Sequence, residues 1–281
     1  INYVFADLLK RANKMSLYVS SLWQYPVKSM TGVSLSQMRV NSWGPDLDRR
    51  WMVVDSNKRF LTQRQLPSMC LLAASHTANG VRIQSLNDKA ISIEVAEPVA
   101  EATYPVSVWS DVCEAMDAGD QAAAFLSEIL GQSVRLCFMS ENTHRQVDRQ
   151  FAATGTRVSF ADGFPFLLCS ESSLAALSTA LGRSLDMRRF RPNIVVSGAE
   201  AFAEDAWRRI RIGALEFELV KPCARCAIPT INLASAAREA DVFKMLRAER
   251  SKNGEVYFGQ NLIHHGEGEI GLGQTVELLE F

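Results

Sequence analysis

Long apolar runs are missing from this 281-residue chain. No stretch approaches the roughly 18 residues that a membrane-crossing helix needs, so no span is expected. An excess of either charge is missing too. With 30 basic and 31 acidic side chains the net charge is −1, which gives no global attraction to nucleic acid, and none is expected as a partner. Histidines number only four, and His76, His144, His264 and His265 show no metal-finger interval. Glycine-rich phosphate loops of the GxGxxG or Walker type are absent, so any bound phosphate must be held by side chains and scattered amides. There is no internal repeat and no low-complexity linker.

Cysteine is sparse as well. Cys70, Cys113, Cys137 and Cys169 sit singly among apolar neighbours and are expected to pack as small hydrophobes. Disulfide frameworks belong to small secreted chains, so a reducing, cytoplasmic compartment is expected.

Residues 1–14 differ from the rest of the chain. Val4, Phe5, Leu8 and Leu9 fall at helical spacing ahead of Lys10, Arg11 and Lys14, too short and interrupted for a signal peptide. They are read as an extension upstream of the natural start, with an amphipathic surface anchor as the alternative.

From Met15 onward the chain reads as mostly β with α, an α+β fold. Strands are expected at Leu17–Trp23, Gln37–Asn41, Trp51–Asp55, Met69–Ser75, Val81–Ser85 and Ala90–Val95, a spacing that suits a small barrel. Helices are expected over Gly119–Leu130, closed by Gly131, over Ser170–Leu181, closed by Gly182, and over Ser235–Arg250. Further strands are expected at Ser133–Phe138, Asn193–Ser197, Trp207–Ile212, Leu215–Val220, Val256–Leu262 and Thr275–Leu279. Residues 15–115 are taken as a β-barrel-like domain packed against a second domain at 116–281, itself a β-barrel with flanking helices.

The segment Lys221-Pro222-Cys223-Ala224-Arg225-Cys226 carries the most chemistry. It places two thiols three residues apart, with a cation between them, where an alternating strand runs into a loop. A neighbouring cation favours the thiolate, the form that binds metals and attacks electrophiles. A zinc site needs about four ligands and would have to recruit His264 or His265 through folding. A thioredoxin-like pair would open a helix, which Pro229, Thr230 and Ile231 oppose. On spacing alone, two ordinary buried cysteines remain an equal alternative.

Cations cluster in other loops: Lys28 beside Pro26 and Ser29, Arg49 and Arg50 before an apolar strand, and Arg188, Arg189 and Arg191 around Phe190. Most surface arginines only solvate, yet guanidinium forks and serine hydroxyls are what a buried phosphate requires.

Six segments, in order, carry a family resemblance: Tyr25-Pro26-Val27-Lys28-Ser29, Leu47-Asp48-Arg49-Arg50-Trp51, Phe190-Arg191-Pro192-Asn193-Ile194-Val195-Val196, Ala203-Glu204-Asp205-Ala206-Trp207, Cys223-Ala224-Arg225-Cys226 and Phe258-Gly259-Gln260-Asn261. Across residues 16–281 the chain resembles the MOSC proteins that carry the MOSC N-terminal β-barrel domain. It is similar to bacterial relatives of the mitochondrial amidoxime-reducing component. The resemblance implies a molybdenum cofactor, the metal held by Cys226, with Cys223 a neighbour rather than a second ligand. It also implies that Lys28, Ser29, Arg49 and Arg191 grip the cofactor's phosphate and pterin, and that Arg225 lies beside the ligand. The same resemblance implies that Asn261, Gly163 and Phe164 line this site. The implied activity is reduction of small N-hydroxylated bases or amidoximes, with the alternative of a non-catalytic carrier of the molybdenum cofactor or of sulfur.

Two departures from the family pattern stand out. Relatives often follow the ligand with Thr-Thr-Val-Asp, whereas Pro229-Thr230-Ile231-Asn232 stands here, so a carboxylate near the metal is expected to be lost. The chain has no Cys-x4-Cys-x2-Cys run, and electrons are expected from a separate ferredoxin-, flavin- or cytochrome-type partner.

Overall fold

The period-two run Leu215-Glu216-Phe217-Glu218-Leu219 forms the first half of a long strand, Leu215–Ala224, burying Leu215, Phe217 and Leu219 and turning the glutamates outward. It lies in the middle of the largest sheet of the computed structural model, which describes residues 16–99 and 102–281. The extension at residues 1–14 lies outside the described residues. Along this sheet the strands run Val276–Glu280, Arg209–Ile212, Leu215–Ala224, Glu255–His265, Phe166–Ser170, Ile194–Ser197, Tyr18–Gln24 and Val33–Leu35. Neighbours are antiparallel except Phe166–Ser170 beside Ile194–Ser197. That parallel pair requires a crossover, and helix Glu171–Leu181 is part of it.

The sheet curls until strand Tyr18–Gln24 meets the segment that leads into strand Val276–Glu280. Val19 N–H donates to Gln274 C=O at 2.9 Å, and Gly273 N–H returns to Val19 C=O at 2.8 Å. Inside the curl Phe166 and Phe217 pack edge to face at 5.3 Å, among Leu22, Ile194, Ile210 and Leu262. Each such ring contributes about 1.5–3 kcal/mol by leaving water.

Two smaller sheets belong to the first half of the chain. One runs Trp51–Val54, Arg135–Phe138, Asp111–Asp117, Tyr104–Val108; the other runs Leu72–Thr77, Gly80–Ser85, Ser92–Ala96. Helix Asp120–Leu130 packs Ala122, Leu126 and Leu130 into the core they share with Val53, Leu72 and Ile83. Both expected glycine caps are left-handed, Gly131 at φ 69° and Gly182 at φ 75°. The protein is therefore mostly β, with three α-helices among the described residues, Asp120–Leu130, Glu171–Leu181 and Ala240–Arg250.

Two expected elements start late. The strand expected from Met69 begins at Leu72, because Pro67 opens a 3₁₀ turn over Pro67–Leu71. The helix expected from Ser235 begins at Ala240. Asn232 Oδ1 accepts from the amides of Ala234 (2.9 Å) and Ser235 (3.3 Å), and Ala236 is left-handed at φ 59°, so side-chain bonding replaces the helical turn.

The chain leaves the large sheet after Gln24 and crosses to the first-half sheets. Val27 bridges Trp51 in parallel, and Lys28 N–H donates to Trp51 C=O at 2.8 Å. Arg49 N–H donates to Tyr25 C=O at 2.8 Å, and Phe160 N–H donates to Arg49 C=O at 3.0 Å. Three distant segments are thus stitched together where the sheets meet.

Candidate functional site

The long strand carries Cys223 next to its end, and Cys226 follows in the loop before a short 3₁₀ turn, Ile228–Thr230. No α-helix starts there, as Pro229 and the β-branched residues require. Cys223 and Cys226 are half-buried, whereas Cys70, Cys113, Cys137 and Cys169 are buried and unpaired. Burial pushes the Cys113 and Cys137 thiols upward, and Cys169 well above its ordinary value, which keeps them protonated and inert.

Cys226 opens into a cleft whose lining also includes Lys28, Ser29, Arg49, Gly163, Phe164, Arg191, Arg225 and Asn261. Every residue that the family resemblance nominates is therefore brought to one place, from segments far apart in the chain. A Cβ built on Gly163 would meet nothing within 4 Å, so the wall is open there. Asn261 Nδ2 donates to Lys221 C=O at 3.2 Å, and Phe164 packs edge-on to Phe151 at 5.7 Å.

The cations are held in two ways: Lys28 and Arg49 each meet a carboxylate, and Arg191 meets none among the described residues. Lys28 Nζ, with the residue only 4% exposed, donates to Phe160 C=O at 2.7 Å and to Asp162 at 2.5 Å. Burial pulls its pKa down to about 8, against the opposing pull of Asp162. Arg49 donates to Asp48 and, at 3.1 Å, to both Asn193 Oδ1 and Arg191 C=O. Arg191 donates through Nη1 to Met30 C=O at 2.6 Å, while its buried Nη2 has no partner. Both guanidinium carbons lie over the Tyr25 ring, at 4.4 Å for Arg49 and 4.3 Å for Arg191. Burial first, and then Arg49, lowers the Arg191 pKa to about 10. Ser29, Arg49 and Arg191 are all left-handed, at φ 68°, 50° and 57°. Such backbones are uncommon outside glycine and gather at ligand sites.

Arg225 departs from its expected contact. Its Nη1 lies 2.9 Å from Cys223 Sγ rather than against Cys226, its Nη2 donates to Phe190 C=O at 2.7 Å, and its buried Nε is unpartnered. Cys226 Sγ accepts only a 3.5 Å contact, from Ile228 N–H, among the described residues.

Neighbouring cations behave differently. Arg50 donates to Met139 C=O and pairs with Glu141, Arg188 pairs with Asp186 at 2.5 Å, and Arg189 pairs with Glu239 at 2.7 Å. None of the three lines the cleft. Asn232 also points elsewhere, donating to Glu239 at 3.0 Å. Asn232 does not line the cleft, whereas Pro229 of the same segment does.

The sequence reading passed over Arg64, Asp162, Thr62 and Asn193, which also line the cleft. Asp162 takes Lys28 on one oxygen and Arg64, at 3.3 Å, on the other. Burial raises its pKa, and the two cations more than reverse this, holding it below the ordinary carboxylate range. Only its place beside Gly163 hinted at a role; Thr62-Gln63-Arg64 carries no pattern.

His264 Nε2 bonds Asn41 C=O and His265 Nε2 bonds Glu218, each at 2.8 Å, and neither lines the cleft. Among the described residues no three His, Cys, Asp or Glu side chains gather as metal ligands, so zinc has no donor set there. The donors present suit a different group. The half-buried thiols share the cleft with Arg191 and Arg225, each of which has a buried N–H without an acceptor, which matches a thiophilic metal carried by an anionic, phosphate-bearing cofactor.

Comparison with known proteins agrees with this architecture. The family model of the MOSC N-terminal beta barrel domain matches residues 16–133, and that of the MOSC domain matches residues 155–277. Mitochondrial amidoxime-reducing component 1 of Mus musculus is 30% identical over 278 residues, covering 93% of this chain and 82% of that protein. Its Homo sapiens counterpart is 29% identical with the same coverage. Molybdenum cofactor sulfurase of Danio rerio is 29% identical over 269 residues, which cover 89% of this chain and 32% of that protein. With two domains matched in order and a 30% identical relative spanned over most of its length, the chain belongs to the MOSC proteins that carry the MOSC N-terminal β-barrel domain.

Proposed function

We propose that this protein is a molybdenum-cofactor-dependent reductase of N-hydroxylated compounds, receiving its electrons from a separate protein. The observation that carries the reading is one half-buried thiol, Cys226, sharing a cleft with Arg191 and Arg225, each of which buries one donor without an acceptor. The relatives named for amidoxime reduction support the choice of chemistry.

Cys226 would hold the metal through its thiolate. Arg191 and Arg49, stacked on Tyr25, would grip the phosphate together with Lys28 and Ser29. Arg225, Asn261, Gly163 and Phe164 would complete the wall. When bound, the cofactor supplies the two-electron removal of oxygen from an N–OH group. The protein's part is to fix orientation and field. The Arg145 guanidinium does so at one remove: it donates to the carbonyls of Ser159 (2.7 Å), Ala161 (2.6 Å) and Asp162 (3.1 Å), pinning the loop against which Lys28 leans.

Elemental analysis of wild type beside Cys226→Ala and Cys223→Ala tests the reading. Molybdenum is expected to be lost from the first and largely kept by the second; equal loss from both would show the ligand assignment to be wrong. Cofactor-loaded protein given a chemical reductant should turn over benzamidoxime or a hydroxylated purine.

The similarity to part of molybdenum cofactor sulfurase favours a second reading, a carrier of the cofactor or of sulfur. Full metal loading with no turnover of any N-hydroxylated probe would select it.

A further inference from the structure

Trp109 occupies a position where tryptophan is costly. The strands Tyr104–Val108 and Asp111–Asp117 pair from Val108 to Asp111, leaving a two-residue loop of Trp109 and Ser110. Trp109 is left-handed at φ 58°, at the first turn residue, where tight hairpins favour glycine. Its ring is also in the wrong solvent: Trp109 is 50% exposed, while the other four tryptophans are buried or half-buried. A strained backbone and a wet indole are both unfavourable for folding, and neither is compensated within the hairpin.

The ring is nonetheless held in place. The Arg64 guanidinium lies 4.5 Å from it, Phe60 packs at 5.1 Å, and the indole N–H donates to Asp162 at 3.3 Å. Asp162 and Arg64 are cleft-lining residues, so the indole is anchored at the rim of the cleft that holds Cys226. Part of its π surface remains exposed to solvent beside the mouth.

Resting on the reductase reading, we propose that Trp109, which lies outside the cleft lining but is tied to it through Arg64 and Asp162, is a specificity-determining wall at the mouth, selecting flat aromatic N-hydroxylated compounds over aliphatic ones by stacking. Every flat heterocycle or aryl ring has a π face, and such stacking tolerates varied ring substituents. Arg64 is a positioning residue: its stacked guanidinium and its bond to Asp162 fix the indole from behind. An aliphatic amidoxime reaches the same cleft without using the wall.

The test compares benzamidoxime with acetamidoxime, on wild type, Trp109→Gly and Trp109→Phe, with a chemical reductant so that no protein donor is involved. Glycine suits the left-handed turn, so the fold is expected to persist, and phenylalanine restores an aromatic face. The ratio of kcat/KM for benzamidoxime to that for acetamidoxime is expected to fall roughly tenfold in Trp109→Gly, mostly through KM, and to recover in part in Trp109→Phe. A ratio unchanged by Trp109→Gly, or both probes weakened equally, would overturn the proposal. Calorimetric binding of the two probes gives a readout independent of turnover. If wild type turns over neither probe, the reductase reading fails, and the calorimetry still decides: preferential benzamidoxime binding lost in Trp109→Gly supports the wall, and no preference refutes it.

Discussion

Exchanging Arg191 for lysine keeps the charge and removes the fork, which isolates geometry from Coulomb attraction. In the free protein Nη1 is committed to Met30 C=O at 2.6 Å and Nη2 is buried with no acceptor. A guanidinium can serve both directions at once. An ammonium presents its donors from one point, so a lysine that satisfies Met30 no longer reaches an anion in the cleft. The loss is one hydrogen bond to a charged group, about 1.5–3 kcal/mol, or roughly a ten- to hundredfold weaker anion affinity. The strained backbone at φ 57° is common to both residues, so it cancels. Inorganic phosphate titrated calorimetrically into cofactor-free wild type and Arg191→Lys measures the difference directly. Phosphate should also raise the melting temperature of wild type more than that of the variant, because ligand stabilisation scales with RT ln(1 + [L]/Kd). If wild type binds phosphate and Arg191→Lys binds it equally well, the unpartnered Nη2 is not an anion contact, and orphaned donors do not mark the anion site.

Two further outcomes rest on the same geometry. Gly259 is left-handed at φ 78°, and a Cβ there would stand 2.7 Å from both Cys169 Sγ and Leu168 C=O. Gly259→Ala should therefore cost about 2–4 kcal/mol from overpacking and the left-handed backbone, a drop of roughly 5–10 °C in Tm by thermal melt; an unchanged Tm would mean the two strands separate freely there. Because burial holds the Lys28 pKa near 8 against an ordinary 10.5, folded Lys28 carries fewer protons than unfolded Lys28 across that window. This group's contribution to stability thus rises with pH between those values, while phosphate affinity of the cofactor-free protein, which needs the charged ammonium, falls above about pH 8. A calorimetric phosphate Kd that stays flat through pH 9 would remove Lys28 from the anion site.

Much of the fold was legible in the residues, and the gaps have physical causes. Strands with one wet face announce themselves by alternation, as Leu215–Ala224 does over its first half. Phe166–Ser170 does not: it is buried on both faces and reads as a plain apolar run. The hairpin at Tyr104–Val108 and Asp111–Asp117 went unread because Trp109-Ser110 stands where a glycine or asparagine would have marked a turn. The pairing of Tyr18–Gln24 with Ile194–Ser197 is likewise a contact no local pattern encodes.

The site was legible as a set of motifs, but not what sets Arg191 and Arg225 apart from the other cations. Arg188, Arg189 and Arg191 look alike along the chain. Folding gives the first two a carboxylate each, Asp186 and Glu239, and gives Arg191 a backbone carbonyl and an empty donor. The same division separates Arg50, paired with Glu141, from Arg225, whose contacts are a thiol and a carbonyl. Placing a charge in a low-dielectric wall without a counter-charge is expensive for folding. A fold that does so twice, in the lining of the cleft that also holds Cys226, keeps positive potential there without a carboxylate to balance it.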